Sequence, residues 1–170
     1  MKHIFYIVLV MLAFTSCQEK KIGYVDNTTL INEIQEKKDL ETKFQGKQEA
    51  FKKKTDSISQ AFQLEVQQTQ LTAQKSSQKK AQELIGGLQQ KQQLLQQQVQ
   101  FEEQQITLAF QGEIDSLIIK VKDYVKDYGK TNGYTYILGT SDGASSVLYG
   151  TDENNLTQTI LEALNTEYKK

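Results

Sequence analysis

No proline occurs in the 170 residues, and none therefore interrupts the stretch from Thr28 to Gly129. Proline is the strongest helix breaker, because it lacks the amide donor and clashes with the preceding turn. Through this stretch, large apolar residues recur at helical spacing. Leu30, Ile34, Phe44, Phe51, Ile58 and Phe62 lead it; Leu84, Leu88, Leu95, Val99, Ile106 and Phe110 continue it. The pattern predicts roughly a hundred residues of helix, against the usual share of about a third of a chain. Hydrophobic residues are 38% of the total, below the ~45–50% of a compact globule. That favours a thin, extended architecture with much solvated surface.

The seam is weak at first. Phe44, Phe51 and Ile58 are seven apart and read as d positions, which puts Glu41, Gln48 and Thr55 at a. Such a positions are poor for a tight coiled coil. From Gln60 to Gln105, 18 of 46 residues are glutamine. A disordered tract is one reading of that bias. Glutamine is a good helix former, however, and the apolar spacing persists, so helix is expected.

Short β-type runs flank the helical stretch. Ile22–Val25 precedes it, and Asp26-Asn27-Thr28-Thr29 forms an N-cap cluster. Gly129 takes a C-cap position. Tyr134–Leu138 and Ser146–Tyr149 read as strands, and Leu156 to Tyr168 as a last amphipathic helix. The class is α+β. Strands this short do not stand alone. They pair only if the helical segment returns to its start, so a long antiparallel hairpin is predicted over about 28–129. The most polar stretch near its midpoint contains Ser76-Ser77, placing the tip near 76–78. The competing turn, Gly86-Gly87, gives arms that differ by about 24 Å. If the tip is at 76–78, Gly86 and Gly87 lie inside the second arm, either as a tolerated weak spot or as a hinge.

The first residues read as a targeting signal. Ile4 to Phe14 is an unbroken apolar run, too short as a helix for a bilayer core of ~30 Å. Phe14-Thr15-Ser16-Cys17 resembles a bacterial lipobox. Residues 1–16 are expected to be a lipoprotein-type signal peptide, Cys17 the lipidated residue and 17–21 a short tether. His3 and Cys17 are the sole histidine and cysteine. Without residues 1–16 there is no histidine, which excludes Ser-His-Asp and Cys-His catalysis and histidine-ligated zinc. No catalytic residue, metal or cofactor is expected. The net charge of −1 gives no sign of nucleic-acid binding.

The chain resembles the Skp/OmpH family of periplasmic chaperones. Lys21-Ile22-Gly23-Tyr24-Val25-Asp26, Tyr134-Thr135-Tyr136-Ile137-Leu138, Val147-Leu148-Tyr149-Gly150 and Asn155-Leu156-Thr157 carry the match. It spans about 22–168, within a domain expected over 22–170. The resemblance implies a jellyfish-shaped homotrimer. A small β body (22–27 plus 130–170) would bear coiled-coil-like tentacles that enclose unfolded outer-membrane β-barrel proteins, with no ATP used. The implied function is that of a periplasmic holdase that prevents aggregation; the lipobox-like segment adds the expectation of an anchor through Cys17 to the periplasmic face of a membrane. Two departures are the nearly neutral charge and the lipobox. Short strands with open edges independently favour shared strands between subunits.

Leu64 and Leu71 fall off the Phe44–Phe51–Ile58 seam and are candidate client contacts; a register shift would instead put them in it. Lys75, Lys79 and Lys80 near the tip are further candidates, with a plain solvated face as the alternative. A structural coiled-coil lipoprotein linking the outer membrane to the cell envelope is the second functional reading. Its sign is a long heptad without a strand body.

Overall fold

The computed structural model describes residues 20–141 and 143–169. The expected signal segment and Cys17 lie outside the described residues. In chain order the elements are β1 (Lys21–Asp26), α1 (Asn27–Glu33), α2 (Gln35–Gln74), α3 (Gln78–Thr131), β2 (Tyr134–Thr140), a 3-10 turn (Asp152–Asn154) and α4 (Thr157–Tyr168). The fold is α+β, with two long helices and one two-stranded sheet among the described residues. It divides into two compact units. One takes in the described residues up to Ile34 and from Ile119 onward; the other is Gln35–Ile118.

In the first unit β1 and β2 pair in parallel, with Ile22 opposite Tyr136, Tyr24 opposite Leu138 and Val25 opposite Gly139. A parallel pair needs a connection that returns past the start of the first strand. The last turns of α3 do this. Lys21 Nζ donates to the Asn132 carbonyl at 3.3 Å, so the end of α3 lies at the beginning of β1. The reversal follows at Gly133, whose φ of 72° favours glycine. Gly129 was expected as the C-cap. It is instead buried inside α3, where a Cβ would sit 3.2 Å from Ile137 Cδ1.

Val25, Leu30, Ile34, Val121, Leu156, Ile160, Leu161 and Leu164 form the buried core of this unit. Leu156 N donates to Tyr24 O at 2.8 Å. That approach depends on Gly23, since a Cβ there would meet Leu156 Cδ1 at 2.5 Å. Buried Thr157 accepts from Asp26 N at 2.9 Å and donates to Asn155 Oδ1 at 2.6 Å. The expected strand at 146–149 does not form. Beyond a single bridge between Ser141 and Ala144 the segment is irregular, and Leu148 and Tyr149 are 92% and 86% exposed. A strand needs a neighbour to take its backbone groups, and this segment pairs with none among the described residues.

Asp26 starts α1 as its N-cap. Its Oδ1 accepts from Thr28 N at 2.9 Å and Thr29 N at 3.1 Å, and its Oδ2 accepts from Thr29 Oγ1 at 2.9 Å. The expected continuous first arm breaks at Ile34, whose ψ of 128° leaves the helix while its side chain is buried.

In the second unit α2 and α3 run antiparallel, and residues 75–77 form the turn between them. The glutamine-rich tract is helical on both sides of that turn. Lys43–Glu113 (2.7 Å), Lys54–Glu102 (2.6 Å) and Lys91–Glu65 cross between the helices. All three pairs are centred on position 78, and successive pairs are eleven residues apart. The inward residues keep the same interval. On α3 Leu84, Leu95, Ile106 and Leu117 form one row, and Leu88, Val99 and Phe110 another. On α2 Leu40, Phe51, Phe62 and Ala73 form a row, beside Phe44, Thr55 and Val66. Glu41 and Gln48, placed at a by the heptad reading, are exposed. Eleven residues make three turns at 3.67 residues each, which favours right-handed winding over that of a heptad coiled coil. Phe44 and Phe110 pack across the seam in a tilted pair, with centroids 5.0 Å apart and ring planes at 57°.

Two expected outcomes follow from this packing. Leu117, only 3% exposed, should cost about 2–5 kcal/mol when replaced by alanine. Leu108→Ala, at a side chain 56% exposed, should stay within about 0.5 kcal/mol. Urea unfolding of the two variants measures both. Asp26→Ala should lose about 1 kcal/mol of capping. The amide and hydroxyl donors of Thr29, with the amide of Thr28, hold the Asp26 carboxyl below its ordinary range. Its stabilisation is therefore present near neutral pH and fades as pH falls through that lowered value. The gap in melting temperature between wild type and Asp26→Ala should narrow in acid.

Candidate functional site

Among the described residues no group of three or more His, Cys, Asp or Glu side chains is placed to hold a metal ion. No described helix is long and apolar enough to cross a membrane. The features that stand out are helix surfaces in the second unit and an exposed segment in the first.

Leu64 and Leu71 are each 59% exposed. The row Phe51–Phe62–Ala73 and the row Phe44–Thr55–Val66 turn inward, so the eleven-residue repeat leaves both leucines on the outer side of α2. A register shift into the seam does not occur. Between Thr55 and Phe62 the seam is loosely filled. A groove of about 510 Å³ opens between the helices, lined by Thr55, Ile58, Phe62, Leu95 and Val99 with glutamines at its rim.

Lys75 is in the turn; Lys79 and Lys80 are in the first turn of α3, and all three are exposed. Lys80 pairs with Glu83 at 3.3 Å. Lys91, further along α3, is engaged by Glu65 on the other helix. With Lys80 and Lys91 both paired, the positive excess at the turn is carried by Lys75 and Lys79. Solvated pairs of this kind contribute about 1 kcal/mol or less each, so these charges matter for attraction more than for stability.

Gly86 and Gly87 lie inside α3, which runs unbroken from Gln78 to Thr131. Neither glycine is held there by crowding, since a Cβ at each would meet nothing within 4 Å. The structure brings Leu71, the turn lysines and the glycine pair into one end of the helical pair; Cys17 is outside the described residues.

Sequence reasoning missed a second outward row. Leu94, Phe101 and Leu108 are 65%, 63% and 56% exposed on α3. In the sequence they alternate with seam residues such as Leu95 and Ile106, and the seven-residue interval alone does not separate the two sets.

The model of the OmpH-like outer membrane protein family matches residues 21–164. The chain belongs to this family. Among solved structures it is similar to the crystal structure of "a putative outer membrane chaperone (OmpH-like) from Caulobacter crescentus CB15". The TM-score is 0.73 at 10% identity, over 89% of this chain and 88% of that one. At so low an identity the likeness is one of fold. No curated protein matches. The OmpH-like fold expected from the flanking strand residues is thus the fold observed.

Replacing both Gly86 and Gly87 by alanine should stabilise α3 by about 1 kcal/mol per site, because each position is helical and open. Amide hydrogen exchange near 84–90 should slow accordingly. Faster exchange in the double variant would show that the pair sits in a locally strained backbone.

Proposed function

We propose that this OmpH-like protein is an ATP-independent holdase of the periplasm that binds unfolded outer-membrane proteins and keeps them from aggregating. The observation that carries this is the family match over 21–164 on a chain whose long helices leave large apolar side chains in solvent. Leu64 and Leu71 are two of these. A holding surface needs many weak apolar contacts and no reaction centre. Exposed apolar side chains on glutamine-rich helices meet that need. Lys75, Lys79 and Lys80 would add attraction for acidic segments at the turn.

The working form is a homotrimer built on the strand-bearing unit. β2 pairs with β1 alone, leaving an edge open among the described residues. Tyr136 is 60% exposed, as are Leu148 and Tyr149 to a greater degree. Open edges and exposed apolar residues of this kind are suited to strand addition by another copy. Cys17 carries the lipid that tethers the protein at the periplasmic face of a membrane, and Gly86-Gly87 acts as a hinge in the second arm. The bridging-lipoprotein alternative expects a long heptad without a strand body. The paired strands and the eleven-residue seam favour the chaperone reading instead.

The test is dilution of a urea-unfolded β-barrel membrane protein into buffer with and without the purified protein, followed by light scattering. Suppressed scattering without ATP is the expected result; unchanged scattering rejects the holdase. Native mass spectrometry of protein extracted from the envelope should give three acylated chains per particle. A Leu148→Ser, Tyr149→Ser variant should be monomeric.

A further inference from the structure

On α3, Leu94, Phe101 and Leu108 stand seven residues apart and more than half exposed. Two turns of helix separate each from the next, about 10.5 Å. The spaces between them are filled by Gln97-Gln98 and Gln104-Gln105, all four exposed. These are the i+3 and i+4 neighbours, which share the face of the residue before them. The same unit occurs once on α2, as Leu64, Gln67-Gln68 and Leu71. No lysine lies between Lys91 and Lys120. Of the two carboxylates in the row, Glu102 is engaged by Lys54 across the seam. Glu103 is the acidic side chain that remains beside the stripe.

This surface offers apolar points and primary amides, with almost no charge. A primary amide both donates and accepts hydrogen bonds. A folded helix satisfies its own backbone groups and offers nothing for those amides. Heptad packing of a second helix would also need apolar residues at the intervening positions, where Gln98 and Gln105 stand. A nucleic acid or an acidic lipid surface finds no cation on this stretch. An extended, unfolded chain fits on each count. Its backbone N–H and C=O groups lack partners, and its side chains alternate so that one face meets the helix.

We propose that the outer stripe of α3, centred on Phe101, is the surface on which extended segments of an unfolded protein dock, through apolar contacts and glutamine-to-backbone hydrogen bonds and not through charge. The proposal rests on the holdase reading and assigns it a second face besides that of Leu64 and Leu71.

The experiment compares wild type with a Leu94→Gln, Phe101→Gln, Leu108→Gln variant in binding a urea-unfolded β-barrel membrane protein. The expected result is an affinity at least about tenfold weaker in the variant. Wild-type affinity should also change little between about 50 and 500 mM salt, where exposed charges are progressively screened. A variant that binds as wild type does overturns the stripe. So does a wild-type affinity that collapses with salt, which would assign binding to the turn lysines. If the triple variant loses helicity, a photoreactive residue at position 101 decides: crosslinks to the unfolded client support the stripe, and crosslinks to a second copy of this chain overturn it. Wild type that binds no client at all defeats the holdase reading itself, a result distinct from failure of the stripe alone.

Discussion

Everything in this fold depends on α3 returning alongside α2. The two helices meet across a seam in which apolar rows and three ion pairs recur every eleven residues. The ion pairs are exposed, so each contributes little free energy. Their common centre at position 78 nevertheless marks one register for the pair. With the chain brought back, the end of α3 reaches Lys21, Gly133 reverses the backbone, and β2 lies parallel to β1. Neither six- or seven-residue strand would persist without that return.

The same helices carry two periodicities with different consequences. The eleven-residue rows follow the seam, because 3.67 residues per turn keeps them facing the partner helix. The seven-residue rows Leu64–Leu71 and Leu94–Phe101–Leu108 stay outside it and remain in solvent. Polar residues within the seam, such as Thr55, leave room between the arms; the groove beside Ile58 and Phe62 is the result. A loosely filled seam costs stability but suits an arm whose opening free energy is low. Tight packing is concentrated in the strand-bearing unit, where Leu30, Ile34, Val25 and Ile160 are nearly inaccessible.

Much of this was legible from residues. The turn at 75–77 follows from the need for arms of similar length, and Asp26 reads as a cap because it precedes two threonines and an apolar row. The seam residues of α3 were identified by their spacing, although the eleven-residue interval between ion-paired positions was not. Other features were not legible. Gly129 and Gly133 are both reasonable helix stops by type, and only the packing of Ile137 against α3 makes the first a contact residue. Ser146–Tyr149 has strand-forming residues but no partner strand among the described residues. The outer stripe of α3 was hidden because Leu94 and Leu95 are adjacent, and composition does not say which faces inward.

The sequence by itself determined that the chain forms two very long helices that fold back near residue 76, between short strands. The absence of proline, the apolar spacing and the need of those strands for a partner leave few other solutions. The tertiary structure decided which apolar residues are seam and which are surface. That choice depends on a phase difference of a few degrees per residue between seven- and eleven-residue repeats, which accumulates along each helix and is resolved only when a second helix packs against it.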